Sequence, residues 1–264
     1  MLVFAIFLLL PLGYVAVEAA EGQGRGLLLL VSSRSFWTGF LNSTVLGLSA
    51  ATLSLALGLG VALRLARMGH AARTIWLFVI ALPLTFSGLI VAYGFILAFG
   101  RAGFVTLSLE VIAGVDPAAF SQAVYSPYGL AFVYAYYLVP RVVMTLTPVI
   151  LNFDHSQLAA AESLGASRRR TLVDILLPQL YGPMMSAFAL VAAVAIGAYG
   201  TALALVGSQV NILPLQLFTM VSDAGADFAV TASLGLVLTA LCSIVIGIGE
   251  WIGFNRAHRS RTDE

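Results

Sequence analysis

Residues 152–178, NFDHSQLAAAESLGASRRRTLVDILLP, form a polar, arginine-bearing stretch between two apolar runs. Each flanking run is long enough to cross a bilayer, which takes about 20 apolar residues. Asp154 can cap free backbone N–H groups, and Gln157 three residues on completes a capping-box pattern. Gly165 supplies a position where the backbone turns left-handed and ends that helix, and Ser167 can start a second one. The stretch therefore predicts a short helix–turn–helix lying under a membrane domain.

The first of these two helices has a small, smooth surface. Ala159, Ala160 and Ala161 are flanked by Leu158 and Leu164. Because alanine carries only a methyl group, another protein can approach the helix backbone closely at this surface. We therefore expect the stretch to be a docking site for a partner.

The stretch resembles the EAA loop of ATP-binding-cassette (ABC) importer permeases, whose pattern is Glu-Ala-Ala, three residues, Gly, nine residues and Ile-x-Leu-Pro. Ala160-Ala161, Gly165 and Ile175-Leu176-Leu177-Pro178 stand here at the same spacing. The motif glutamate falls on Ala159, and Glu162 is the candidate replacement, about one helical turn on. The resemblance implies that a cytoplasmic ATPase contacts the coupling residues Leu158, Ala159, Ala160, Ala161, Glu162, Leu164 and Gly165. The alternative is a cytoplasmic loop with helical propensity and no partner.

Composition places the whole chain in a membrane. Of its 264 residues 60% are hydrophobic and 9% are charged, and the mean hydropathy is +1.00. Soluble domains carry about 25% charged residues. The net charge of +1 gives no basic surface of the kind that binds nucleic acid. We therefore predict an integral membrane protein that contacts lipid and does not bind nucleic acid.

Six apolar runs predict an all-α polytopic membrane protein in which residues 1–264 form a single transmembrane domain. The resemblance implies that this is a type I ABC importer permease-like domain, with residues 152–178 as its cytoplasmic coupling loop. The predicted spans are residues 1–17, 38–63, 75–99, 128–151, 183–206 and 228–249. Pro83 and Gly88 predict a kink in the third span. Residues 27–31 are too short to span, residues 101–127 are expected to be an exposed loop, and residues 213–221 a short helix near the outer surface.

Arginine counts predict the orientation, because cytoplasmic loops are enriched in basic residues. The loops after spans two and four and the C-terminal tail hold nine arginines, whereas the opposite loops hold three. The coupling loop and both termini are therefore expected on the cytoplasmic side, and the permease resemblance implies a bacterial-type inner membrane.

No catalytic pattern is found in the sequence. A phosphate-binding GxxxxGK[ST] loop needs a lysine, and the chain has none. His70, His155 and His258 lie in separate polar segments without metal-ligand spacing. We expect no enzyme activity, and no metal or cofactor bound by this chain. The permease resemblance implies that ATP and Mg²⁺ bind to a partner ATPase.

Arg141 is the one basic residue inside a predicted span, roughly 15 Å in from the cytoplasmic end at 1.5 Å per residue. A charge near the bilayer centre costs about 2.5 to 3.5 kcal/mol on insertion scales, so the side chain needs a partner or a water-filled cavity. Pro140 widens the helix there, and Tyr137 shares the face of Arg141. The three residues are candidates for the translocation pathway. The alternative for Arg141 is snorkelling toward the cytoplasm or pairing with a neighbouring chain.

The resemblance implies a permease subunit that moves a small polar solute inward by alternating access. Its partners would be a cytoplasmic ABC ATPase dimer, a second permease chain, identical or homologous, and an extracytoplasmic solute-binding protein. Gly197-Ala198-Tyr199-Gly200 through Asn211-Ile212-Leu213-Pro214-Leu215 looks most like permeases of the spermidine/putrescine and phosphonate type. The alternatives are an ion-gradient-driven secondary transporter, which would want acidic or histidine proton carriers inside spans, and a non-transporting membrane scaffold or intramembrane enzyme.

Overall fold

The computed structural model describes residues 2–20, 24–154, 156–223, 225 and 227–262, with side chains given except at residues 2–5, 8, 208 and 256–262. The predictions on His155 and on the side chains of Arg256, His258, Arg259 and Arg261 lie outside this description. Within it the chain is helical without any β-strand, which confirms the all-α prediction.

The described part of the chain contains fourteen α-helices. They are α1 (Leu2–Ala20), α2 (Arg25–Ser32), α3 (Arg34–Ala66), α4 (His70–Thr85), α5 (Gly88–Phe99), α6 (Phe104–Ala113), α7 (Pro117–Val124), α8 (Pro127–Leu151), α9 (Ser156–Ser163), α10 (Arg168–Thr171), α11 (Leu177–Gly197), α12 (Gly200–Leu205), α13 (Leu213–Ser222) and α14 (Phe228–Thr262). A π-helical turn, Leu172–Leu176, joins α10 to α11, and a 3₁₀ turn, Gly207–Gln209, follows α12.

Five segments of the described chain are long and apolar enough to cross a membrane. They are Arg34–Ala66, Gly88–Ala113, Pro127–Leu151, Arg168–Gly197 and Phe228–Asn255. The first predicted run is helical as α1, but its apolar part, Leu9–Ala20, is shorter than these five. The predicted spans two, four and six therefore correspond to α3, α8 and α14, while spans three and five have different boundaries.

The third predicted span is two helices rather than one kinked helix. Phe86 has an extended backbone (φ −93°, ψ 146°), and the Ser87 hydroxyl accepts a hydrogen bond from the Ile90 N–H at 3.4 Å, which starts α5. Pro83 lies in the last turn of α4, where proline is compatible with a helix about to end. A Cβ on Gly88 would overlap the Thr201 side chain, so this glycine lets α5 approach α12. The predicted kink is a complete break.

The prediction of an exposed loop over residues 101–127 is wrong, because α6 and α7 occupy most of it. Gly114 ends α6 in a left-handed conformation, with φ +64°. Asp116 then caps α7, accepting hydrogen bonds from the N–H groups of Ala118 and Ala119 at 3.0 and 3.3 Å. Pro117 occupies the first turn of α7, where its missing N–H costs nothing.

The fifth span starts earlier than predicted and ends earlier. Arg168–Gly197 is continuous through the π-helical turn, and the helix stops at Ala198 before α12 begins. The Tyr134 hydroxyl of α8 donates a 2.6 Å hydrogen bond to the carbonyl oxygen of Ala198. The second helix of the coupling stretch and the fifth span therefore form one continuous helical rod, residues 168–197.

The core lies where α8 packs against α3 and α11, with α14 on the other side of α11. Small residues bring these helices close together, as membrane helix interfaces require. A Cβ on Gly58 of α3 would meet Val142 of α8 at 2.6 Å, and Gly182 of α11 faces Gly253 of α14 backbone to backbone. A smaller apolar cluster joins α2, α3, α13 and α14.

The bundle has two distinct ends, named here by the helices they carry. At the α13 end, a polar clasp made of Ser35, Asn42, Asn211 and Gln216 holds the loop before α13 to the start of α3. Asn211 Nδ2 donates to the Ser35 carbonyl at 3.0 Å, Gln216 Nε2 donates to the same carbonyl at 2.7 Å, and Asn42 Nδ2 donates to the Asn211 carbonyl at 2.9 Å. At the opposite, α9 end, α3 and α8 finish beside the coupling stretch.

Candidate functional site

The coupling stretch begins as a capped helix. The Asp154 carboxylate accepts a 3.0 Å hydrogen bond from the Ser156 N–H at the start of α9, as the sequence predicts. The Gln157 amide oxygen accepts a 2.8 Å hydrogen bond from Nε2 of Gln179, a residue of α11. This contact, which the capping-box pattern does not predict, ties α9 to the fifth span.

Gly165 ends α9 with a Schellman motif. Its φ is +90°, in the left-handed region where glycine avoids the strain that a Cβ imposes. The Ala166 N–H bonds the Ala161 carbonyl, and the Gly165 N–H bonds the Glu162 carbonyl, both at 3.0 Å. This pair of bonds satisfies carbonyls left free at a helix end. The predicted turn is confirmed.

The second helix starts where predicted. The Ser167 hydroxyl accepts a 3.4 Å hydrogen bond from the Arg170 N–H. Arg170 then pairs with Asp174 at 3.1 Å, four residues on, with both side chains more than half exposed. Such a surface pair contributes at most about 0.5 kcal/mol. The second helix is therefore held by its continuity with α11 rather than by its charges.

The predicted coupling residues divide into a seated side and an exposed side. Leu158 is half-buried against the main core, and Ala161 is half-buried. Ala159, Ala160, Glu162 and Gly165 are exposed, and Leu164 is 90% exposed. We call the exposed residues Ala159, Ala160, Leu164 and Gly165 the docking face. We interpret this exposed apolar surface at the α9 end of the bundle as a candidate protein interface.

Glu162 borders a cavity of about 130 Å³ between the coupling stretch and the ends of α3 and α8. Arg67 and Arg168 line the same cavity. Among the described residues Glu162 forms no salt bridge, since Arg170–Asp174 is the ion pair found there. Glu162 therefore shares a cavity with two arginines and forms no salt bridge with them in the described chain.

Arg141 and Tyr137 are brought together on α8. Nη2 of Arg141 donates a 3.1 Å hydrogen bond to the Tyr137 hydroxyl oxygen, and the guanidinium carbon lies 4.7 Å from the centre of the tyrosine ring. Nη1 of Arg141 is buried and has no hydrogen-bond partner in the described chain. Pro140 does not join them, because it is buried on the core side of the helix.

Two features of the spans were not predicted from the sequence. One is the bond from Tyr134 to Ala198 at the end of α11, for which the only sequence signal was the pair of glycines at 197 and 200. The other is an apolar cavity of about 730 Å³ beside the break between α4 and α5. It is bordered by Phe86, Phe95, Phe132 and Tyr136 among others.

Comparison with known proteins identifies the family. Residues 54–255 match the family described as binding-protein-dependent transport system inner membrane component. The molybdenum transport system permease protein of Haemophilus influenzae is 28% identical over 214 residues, covering 80% of this chain and 90% of that protein. The spermidine/putrescine transport system permease protein of Escherichia coli is 26% identical over 205 residues, covering 75% and 74%. The relatives therefore do not single out the polyamine and phosphonate permeases as the group to which this chain is most similar.

A solved structure shares the fold. A chain of a bacterial alginate ABC transporter, solved with a periplasmic protein bound to an alginate pentasaccharide, aligns with a TM-score of 0.73. The alignment covers 94% of this chain and 88% of that one, at 17% identity, and so speaks for the fold alone. With a family match across residues 54–255, this chain belongs to the inner-membrane components of binding-protein-dependent transport systems, the permeases of ABC importers.

Proposed function

We propose that this chain moves a small polar solute inward across the inner membrane by alternating access, driven by ATP hydrolysis on a separate cytoplasmic ATPase. The observation that carries the proposal is the form of the coupling stretch: a capped and terminated helix, seated on the bundle, with its docking face open. A docking helix that transmits movement must keep its conformation. The Asp154 cap and the left-handed Gly165 fix the two ends of α9.

The contacts of α9 connect a movement of this helix to the helices of the core. Leu158 packs on the core that joins α3, α8 and α11, and Gln157 bonds Gln179 of α11. Two residues separate Gly165 of the Schellman turn from the rod of residues 168–197. An ATPase that grips the docking face therefore acts on three core helices together.

We infer four partners from this arrangement and from the family. The docking face takes a cytoplasmic ABC ATPase dimer, which holds ATP and Mg²⁺. A second permease chain, identical or homologous, completes the pathway, because the half-exposed strip around Arg141 needs a cover other than lipid. An extracytoplasmic solute-binding protein meets the α13 end, and lipid surrounds the rest. From the arginine bias we infer that the α9 end and both termini lie in the cytoplasm.

The solute is a small polar molecule of polyamine or phosphonate type, according to the residue pattern of the segment from Gly197 to Leu215. Relatives in this family are named for the transport of molybdenum and of spermidine/putrescine, so membership of the family does not by itself select the solute.

The test is copurification of the chain with its cassette ATPase, followed by ATP-dependent uptake in proteoliposomes. Leu164→Asp puts a charge on the docking face and is expected to abolish both ATPase binding and uptake. Ser156→Asp is the matched control, because the same charge at the start of α9 favours the helix. Leu164→Asp with normal binding and uptake would contradict the proposal. Uptake driven by an ion gradient without the ATPase would support a secondary transporter, and solute binding without flux would support a scaffold.

A further inference from the structure

The guanidinium of Arg141 is a positive charge held at mid-depth in the bundle. α8 places it about 15 Å from Leu151 and about 21 Å from Pro127, at 1.5 Å per residue. No described acidic side chain forms a salt bridge with it, since the ion pair found in this part of the chain is the surface pair Arg170–Asp174. The charge is therefore uncompensated within the described chain.

The direction of the side chain argues against snorkelling. Helical side chains lean toward the N-terminus of their helix, and Tyr137, which accepts the hydrogen bond from Arg141, lies one turn in that direction. The nearer end of α8 is Leu151, on the other side. The guanidinium thus points away from the closer interface and toward the middle of the bilayer.

In the half of α8 nearer Leu151, Arg141 lies on a strip along the partly exposed side of the helix. Tyr137 and Arg141 are half-buried, and Met144 on the same strip is 44% exposed. On the other side of the helix Val142 and Leu146 are fully buried. Arg141 therefore lies at the edge of the subunit, where a pathway between two permease chains would run.

We propose that Arg141 binds the transported solute and that this solute is a small oxyanion. The proposal rests on the proposed function, and it selects the anionic class over the polyamine. Nη1 has no acceptor and is covered by the chain itself in this structure, so the solute reaches it only when the strip opens during the transport cycle. Guanidinium N–H groups bind planar or tetrahedral oxyanions through paired, charge-assisted hydrogen bonds. A polyamine would meet an unneutralised positive charge. Tyr137 holds the guanidinium in place by accepting from Nη2 and offering its ring face.

The experiment measures uptake by the complete transporter, with ATPase, binding protein and both permease chains, in proteoliposomes. Molybdate, sulfate, phosphate, methylphosphonate and spermidine are supplied separately, so that the arms distinguish one oxyanion from another. We expect ATP-dependent import of an oxyanion and not of spermidine. Arg141→Gln should lower that import about tenfold or more, the effect of losing one charge-assisted hydrogen bond. Arg25→Gln, an exposed arginine on α2, is the matched control and should import at the wild-type rate.

Basal ATPase activity and the amount of assembled complex serve as the check on folding. Arg141→Lys is the second variant, because it keeps the charge but loses the fork of donors. It should raise the oxyanion concentration that gives half-maximal uptake, and an unchanged value would overturn the proposal. The proposal would also be overturned if the transporter imported spermidine alone, or if Arg141→Gln imported the oxyanion at the wild-type rate. Loss of the second permease chain from the Arg141→Gln complex would overturn it as well. If the wild-type complex imports nothing with ATP, the proposed function itself fails.

Discussion

The Tyr134 hydroxyl donates a 2.6 Å hydrogen bond to the carbonyl oxygen of Ala198, across 64 residues of sequence. Ala198 follows the last residue of α11 and has an extended backbone, with φ −76° and ψ 108°. A carbonyl at such a break has no helical partner, and hydrocarbon offers no water to replace one. Tyr134, only 1% exposed, supplies that partner.

Tyr134→Phe is therefore expected to destabilise the protein by about 1 to 3 kcal/mol, the cost of leaving a buried acceptor unsatisfied. The measurement is thermal unfolding of the detergent-solubilised chain. Tyr136→Phe is the control, because Tyr136 is 50% exposed and removal of its hydroxyl leaves the Ala198 bond intact. Equal melting temperatures for the two variants would show that the bond carries no stability.

Gly165→Val is expected to uncouple transport while leaving the protein in the membrane. A Cβ there would meet open space, so the effect comes from the left-handed backbone, which costs a residue other than glycine about 1 to 2 kcal/mol. The turn should shift and misplace the docking face. Uptake and ATPase copurification check this. Gly69→Val is the control at the same end, since Gly69 has an extended backbone and free space around it. Unaffected uptake in Gly165→Val would argue against the coupling role.

Gly249→Ala should loosen the packing of α14 on α11. A Cβ on Gly249 would overlap the Cβ of Ala189, which is fully buried, whereas Gly247 has nothing near it. The reporter is Cys242, the single cysteine of the chain, whose sulfur lies 3.5 Å from the Ala193 carbonyl of α11. We expect faster labelling of Cys242 by a membrane-permeant maleimide in Gly249→Ala. Gly247→Ala should label at the wild-type rate, and equal rates in all three proteins would rule out the predicted overlap.

Asn211→Ala should release the loop before α13 from the start of α3. Asn211 bonds both Ser35 and Gln216 through its side chain, so one substitution removes the centre of the polar clasp. Limited digestion of vesicles with proteinase K should then produce new cuts between residues 207 and 213. Gln209→Ala, an exposed residue of the same loop, is the control. A digestion pattern identical to that of the wild type would mean that the clasp does not hold the loop.

Local signals were the predictable part of this protein. Asp154, Gly165 and Ser167 each act on the backbone within a few residues, and all three have their predicted roles in the structure. The pairing of Tyr137 with Arg141 follows from helical periodicity in the same way. Spacing along a single helix or turn is enough to place such contacts.

Breaks inside apolar runs were not predictable in the same way. Pro83 and Gly88 predicted a kink within residues 75–99, but not the complete break at which Ser87 caps a new helix. That break is supported by contact between Gly88 and Thr201 of a distant segment. Ala198 likewise depends on Tyr134, which periodicity treats as one more packing aromatic. Contacts between distant segments decide where an apolar helix stops, and a hydropathy window does not contain them.

The rod from Arg168 to Gly197 runs for about 45 Å at 1.5 Å per residue. One end begins just past the Schellman turn, among three arginines, and the other stops where Tyr134 holds Ala198. The rod includes a π-helical turn and Pro183 but is continuous from one end to the other, so we expect a displacement of its arginine end to move its other end as well. There the Tyr134 hydroxyl connects the rod to α8, four residues before Leu138 and seven before Arg141.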